Sequence, residues 1–159
     1  AVFAADDITG LWKTIDDETG NPKGVVAVYE YRGKIYGRVI ASFDDDGKYI
    51  DDDMYRQINT SPYLVGDPAF NALTIIWDMK DNGKKWAGGK IMDPGDAEEK
   101  KPGIYDCEMW KDGNKLIVRG KILFIGRNQT WYPMRNSEFP EGFRIPDWKS
   151  FRPEIPKLK

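Results

Sequence analysis

The 159-residue sequence contains no histidine, which removes the usual neutral-pH proton shuttle and the commonest metal ligand. Histidine-based triads, zincin motifs and most transition-metal sites are excluded with it, and no cofactor is expected. A single cysteine, Cys107, rules out an internal disulfide. It is expected as a buried, inert thiol in a strand, with a reactive thiol or an intermolecular bridge as the alternative. No apolar run approaches the roughly 18 residues of a membrane-spanning helix, so no stable membrane insertion is expected. Charge of one sign is missing too. With 24 Lys and Arg against 26 Asp and Glu, the formal net charge of -2 gives no basic field to hold nucleic acid and no cationic face for anionic lipid. Nor does any segment keep a 3.6-residue apolar period over three turns, which argues against long helices.

What the chain does have is aromatic residues, six Trp, eight Tyr and seven Phe, more than a minimal core needs. They fall in short β-branched and aromatic runs punctuated by turn residues, the pattern of an all-β protein. Strands are expected over 10–15, 25–31, 34–43, 73–79, 85–92, 104–110 and 115–125, with 129–132 ending the sheet and 54–58 as a further short strand. Arg32 and Gly33 mark a tight hairpin. Asp67 followed by Pro68 has the order of an N-cap and first-turn proline, so one helical turn is expected before Leu73. About eight strands joined mostly by short turns fit a single antiparallel up-and-down barrel, which leaves no exposed sheet edge. A β-sandwich is the alternative. Eight strands enclose a space that side chains nearly fill or that holds one small ligand.

The ends differ from this body. Val2 and Ala4 occupy the small-residue positions before an export cleavage between Ala4 and Ala5, so residues 1–4 are expected as a signal-peptide remnant and the protein as periplasmic or secreted, with a cloning remnant or a merely flexible terminus as the alternative. Residues 5–132 form the expected barrel domain. Residues 133–159 carry five prolines, with Phe139, Phe143, Trp148 and Phe151, and no strand-length run. Prolines exclude a central strand, and a disordered tail seldom carries four large aromatics. An extended segment packed on the barrel wall or over a mouth is expected. A dimer arm is the alternative, so a homodimer stays open.

Several local patterns invite a chemical reading. Ser42 to Asp53 partly imitates a calcium loop through Asp44, Asp46 and Asp53. Ser42 stands where the first Asp belongs, Asp53 stands where a bidentate Glu belongs, and strands flank the loop, so a solvated acidic hairpin is favoured. Asp16 and Asp17 are adjacent, so on a strand they would face opposite ways and could not share a site. Turn chemistry is the expected role of Asp16, Asp17, Thr19 and Gly20, as of Asp93 and Pro94. Gly88-Gly89-Lys90 lacks the surrounding phosphate-loop pattern. Asn128 to Thr130 is a formal glycosylation sequon attributed to chance.

Three ordered segments resemble one family. Trp12, Thr14, Asp16, Asp17, Thr19 and Gly20 resemble the opening W-x-T-I-D-D-x-T-G of the DUF2147 family of exported bacterial proteins. Trp86, Gly88, Gly89, Ile91, Asp93 and Pro94 resemble its W-x-G-G-x-I-x-D-P. Leu116, Val118, Arg119 and Gly120, with Gly126, Arg127, Thr130 and Trp131, resemble L-x-V-R-G and G-R-x-x-T-W. The resemblance spans Gly10 to Trp131 and implies a lipocalin-like barrel while naming no reaction. Many members carry a cysteine pair where this chain has the acidic stretch from Phe43 to Pro62, so any disulfide-tethered loop is absent here. Gly10-x-Trp12 with a late arginine is similar to the lipocalin arrangement, which implies barrel closure by an indole stacked under a guanidinium, with ligand recognition by the arginine as the alternative. Trp12, Arg127 and Trp131 are the expected closure residues, with Arg119 as the other candidate arginine.

The expected function is a periplasmic carrier or sensor that binds a small, largely apolar ligand in the barrel without catalysis. Tyr29, Val39, Phe43, Trp77, Trp86, Tyr105, Trp110 and Arg119 are the candidate ligand-lining residues. Strand parity groups Val25, Ala27, Tyr29 and Tyr31 on one face, and Ile35, Gly37, Val39, Ala41 and Phe43 on another, without deciding which faces inward. The alternative is a structural or protein-interaction module with a filled barrel, acting through its surface or C-terminal segment. An enzyme using Asp16, Asp93 or Glu108 would need carboxyls converging in a cleft with displaced pKa values.

Overall fold

In the computed structural model, residues 4–56, 58–95, 100–122 and 125–159 are described. The strands are β1 (Gly10–Ile15), β2 (Pro22–Tyr31), β3 (Lys34–Phe43), β4 (Ile50–Asp53), β5 (Thr74–Asp81), β6 (Trp86–Asp93), β7 (Gly103–Asp112), β8 (Lys115–Ile122) and β9 (Ile125–Pro133). All pair antiparallel in the order β2-β1-β9-β8-β7-β6-β5-β3-β4, and β2 also pairs β3. That last pairing closes eight strands into a ring and leaves β4 as a short flap on the far end of β3. Closure removes the exposed edges an open sheet would present.

Local chemistry sets the turns. Arg32 and Gly33 both have positive φ, 49° and 81°, between the paired residues Tyr31 and Lys34. That is the primed two-residue turn whose twist matches the flanking strands, and Gly33 carries the second left-handed position without steric cost. Two expectations change. The short strand lies at Ile50–Asp53 rather than over 54–58, because Asp53 accepts the N–H of Tyr55 on its carboxylate and that of Arg56 on its carbonyl, folding the following residues into a turn. Position 57 lies outside the described residues. No helical turn forms at Asp67, whose φ of 45° is left-handed; the segment instead folds back through the Thr60–Ala69 bridge. The expected 115–125 strand ends at Ile122, and β9 starts at Ile125, earlier than expected; positions 123 and 124 lie outside the described residues.

Register assigns the faces. Trp12 pairs with Val26, Val28 with Gly37, and Leu116 with Trp131, and these residues share the interior with Met109 and Val118. The opposite parity of β1 to β3 supplies a second apolar cluster, Leu11, Val25, Ala27, Ile40 and Ala41, on the outer wall. The C-terminal segment covers it with Met134 and Phe139, joined by Phe143, Ile145, Trp148 and Phe151. Every residue of β2 from Gly24 to Tyr29 is therefore buried, one set inside and the other under the segment. The end of the chain is tied down where Leu158 pairs with Leu64 and Lys159 meets Asp67.

Candidate functional site

The two ends of the barrel are unlike. At the end bearing the 32–33, 82–85 and 113–114 turns, residues 5–9 lie across the opening. Ile8 is fully buried, its carbonyl accepts the indole N–H of Trp12 at 3.0 Å, and the carbonyl of Asp6 accepts that of Trp86 at 2.9 Å. Trp12, Trp131, Val28, Met109 and Leu116 fill the interior above this plug. The opposite end bears the loops after β1 and β3. Here the inward-facing residues change character. Val39, opposite the interior Val26, and Ile91, opposite Tyr105, are only partly buried, as is Tyr105 itself. Gly120 lies beside them; a Cβ there would meet Ile91 and Tyr105 at 3.6 and 4.0 Å, ordinary contact distances. Val39, Ile91 and Tyr105 thus leave inward apolar surface partly exposed at this end, the cup of the barrel.

β9 runs the whole height of this interior. Trp131, Gln129 and Arg127 pair with the inward-facing Leu116, Val118 and Gly120. The indole N–H of Trp131 donates to Oε1 of Gln129 at 3.1 Å. The amide of Gln129 reaches Oδ2 of Asp17 at 3.4 Å, and the guanidinium of Arg127 reaches the same oxygen at 3.1 Å. A polar row thus climbs from the floor of the barrel to its lip and ends on the loop after β1.

The candidate lining residues divide by register. Val39 and Tyr105 face the cup. Tyr29 does not: it stacks on Tyr36 at 5.9 Å and meets Phe151 edge-on at 5.6 Å, under the C-terminal segment. Phe43 packs against the same outer-wall cluster, because a bulge between Val39 and Ala41 reverses the parity of β3. Trp77 pairs with Lys90, whose ammonium meets Asp106 on the outer surface, and is buried on that side. Trp110 also faces outward, with the Lys85 ammonium 4.1 Å from its ring centre, and Trp86 sits at the plugged end. Arg119 pairs with Glu108 and Asn128 and lies over Gly126 on the outer surface; a Cβ on Gly126 would fall 2.1 Å from its guanidinium carbon. Tyr29, Phe43, Trp77, Trp86, Trp110 and Arg119 are thus corrected from lining positions to wall or plug positions. Ile91, Gln129 and the inward parity of Arg127 were missed. An alternating Arg-x-Gln-x-Trp on the last strand was the available signal.

The closure expectation also changes. Trp12 and Trp131 do lie in the filled half, but Arg127 does not stack on Trp12. The β9 partner of Trp12 is Pro133, six residues (133 − 127) from Arg127 or about 20 Å along a strand. The closing partner of Trp12 is the Ile8 carbonyl. For calcium, Asp44 spends its carboxylate on the N–H groups of Lys48 and Tyr49, and Asp53 binds Tyr55 and Arg56. Among the described residues no group of three side chains is placed to hold a metal ion, so Asp44, Asp46 and Asp53 do not form one.

Electrostatics weigh against acid–base chemistry at the three carboxylates singled out. Backbone N–H groups of Thr19 and Glu18 hold Asp16 below the ordinary carboxylate range, and Lys121 does the same for Glu108. Burial pushes Asp93 upward, but bonds from Lys100 and the Gly95 N–H outweigh it and hold it low. Burial and the charge of Glu108 push the Cys107 thiol up to about 12.

A closed eight-strand antiparallel barrel, plugged at one end and cupped at the other, is the architecture of a lipocalin-like protein. One solved structure, described as protein HP1028 from the human pathogen Helicobacter pylori and as belonging to the lipocalin family, has this fold. It superposes with a TM-score of 0.59 over 83% of this chain and 86% of that chain, at 18% identity. Residues 10–132 match the family described as "Uncharacterized protein conserved in bacteria (DUF2147)", and the chain belongs to that family. No match was found among curated proteins.

Proposed function

We propose that this protein is an exported, periplasmic carrier or sensor that holds a small, largely apolar ligand in the cup of its barrel without changing it chemically. One observation carries the reading: Val39, Ile91 and Tyr105 turn apolar surface inward yet stay partly exposed, whereas the other half of the interior is buried. Inward apolar surface left open beside a few polar groups is the usual composition of a small-molecule site. The carboxylates held low supply no general acid, in keeping with binding rather than turnover.

The test is native mass spectrometry of protein purified from its own periplasm, followed by organic extraction of anything bound. A stoichiometric apolar adduct is the expected result. A clean apo mass, together with no binding of hydrophobic fluorescent probes, overturns the carrier reading. Fractionation of the producing cells checks the compartment separately.

A further inference from the structure

The seam between β1 and β9 is sparsely joined. Among the described residues Trp12–Pro133 and Lys13–Tyr132 pair across it, against three pairs between β3 and β5, six between β1 and β2 and seven between β8 and β9. Beyond Lys13 the link between the two strands among the described residues passes through side chains. Oδ2 of Asp17 accepts from the Gln129 amide and is ion-paired with Arg127, and both partners lie on the inward parity of β9. Because the indole of Trp131 occupies the amide oxygen of Gln129, the Gln129 NH2 is turned toward the lip. Two polar groups on the inward parity of β9, one of them charged, therefore converge on one carboxylate oxygen, and Arg127 pairs with Gly120, which lies beside Ile91 and Tyr105.

We propose that Arg127 and Gln129 are the head-group site for a ligand that joins an apolar body to one carboxylate, and that this head takes the place of Asp17. The inference rests on the reading of the cup as a ligand site. The Arg127 and Asp17 side chains are 72% and 40% exposed, and an ion pair so open contributes little, so its displacement costs little. A ligand carboxylate regains the same ion pair and hydrogen bond and brings apolar area against Tyr105, Ile91 and Val39. Asp17 then acts as an internal competitor, holding the loop after β1 over the lip until a ligand arrives.

The experiment is fluorescence titration with cis-parinaric acid and with its methyl ester, on the unmodified protein and on Arg127→Met and Asp17→Asn. The expected preference for the acid is about tenfold, the scale of one charge-assisted bond. Arg127→Met should bring the acid to the level of the ester and leave the ester unchanged. Asp17→Asn should tighten the acid by about threefold. Equal binding of acid and ester, or a preference that survives Arg127→Met, overturns the head-group site while leaving the carrier reading in place. If neither probe binds, both readings fall.

A second inference rests on the plugged end. The backbone nitrogen of Ala5 lies 3.0 and 3.1 Å from the two carboxylate oxygens of Asp81. A peptide N–H has one hydrogen to share between them, whereas an ammonium offers three and a charge. From Ala5 onward the chain is tied to the barrel, and Val2 and Ala4 have the small-residue spacing of a leader-peptidase site. We infer that water is added across the Ala4–Ala5 peptide bond by a leader peptidase, leaving a carboxylate on Ala4 and on Ala5 an ammonium that pairs with Asp81 and pins the plug. The test is the intact mass and N-terminal sequence of protein made from its unaltered gene. A start at Ala5 is expected, and any other start overturns the inference. Asp81→Asn should lower the melting temperature of the Ala5-start protein by about 2 °C, and that of a chain keeping residues 1–4, where Asp81 accepts only N–H groups, by clearly less; equal losses remove the ammonium pairing.

Discussion

The hydroxyl of Tyr36 donates to Oδ1 of Asp78 at 2.9 Å, and Asp78 itself holds a left-handed φ of 57°. The two facts are linked. β5 pairs Ile76 with Gly37 and Met79 with Ile35, so one extra residue sits between the pairs, and Asp78 takes the bulge. Aspartate tolerates the left-handed region better than most residues, and its carboxylate anchors β5 to the outer face of β3.

Replacing Asp78 separates these contributions. Asp78→Ala loses the bond and leaves a side chain in an unfavourable conformation, and should cost about 2 kcal/mol. Asp78→Gly loses the same bond but relaxes the backbone, and should cost about 1 kcal/mol less than Asp78→Ala. Urea denaturation of the two variants against the parent measures both numbers.

Alkaline stability should follow two buried tyrosines. Burial pushes Tyr29 up to about 12, and burial with the Asp78 bond pushes Tyr36 to the same value, from an ordinary 10.0. Both folded values lie above the unfolded one, so their contribution is complete below about pH 10 and is lost as the pH rises toward 12. Absorbance titration at 295 nm should show these two phenols ionising late, together with the loss of structure. Early ionisation of all eight would contradict the assignment.

Cys107 should behave as an unreactive thiol. It is 2% exposed and faces the interior, and burial pushes its thiol up to about 12, so thiolate is scarce at neutral pH. Labelling with a disulfide reagent at pH 8 should proceed at the rate of global unfolding and become immediate in 6 M guanidinium. Fast labelling of the folded protein would mean that the barrel opens locally around β7.

Gly89 is required for close approach rather than for its conformation. A Cβ there would stand 2.2 Å from the carbonyl oxygen of Trp77 and 2.7 Å from the carbonyl carbon of Asp78, both backbone atoms. Backbone cannot yield as a flexible side chain can. Gly89→Ala should therefore cost about 3 kcal/mol, visible as a lower denaturation midpoint.

The C-terminal segment should be part of the folded unit. Phe139 is 8% exposed, stacks on Phe143 at 4.8 Å and covers the outer wall around Val25 and Ala27. Phe139→Ala should lose about 3 kcal/mol in one cooperative transition. A separate early transition of the segment, with the barrel unchanged, would show that the wall is stable without its cover.

Much of the fold was legible because strands and turns are written in neighbouring residues. The run from Val25 to Phe43, with Arg32 and Gly33 at its centre, specifies a hairpin through β-propensity and turn chemistry alone. The facing of β2 was not legible. A half-buried strand shows its core side by alternation, but residues 24–29 are buried on both sides, so Val25 and Val26 look alike in sequence. Tyr29 was placed inside for that reason, and its register opposite Tyr36 with the covering of Phe151 assigns it to the wall.

By itself, then, the sequence determined an all-β chain, its family, the hairpins, and a core without histidine or disulfide, since each depends on composition or on residues a few positions apart. Tertiary structure alone decided which side of each strand is the interior. Bulges between Val39 and Ala41 and at Asp78 reverse parity partway along a strand, and closure then carries that choice around the ring. The same pairing put Arg127 at the open lip and left Trp12 at the plug, because register across the β1–β9 seam, and not any spacing along the chain, sets the two residues at opposite ends.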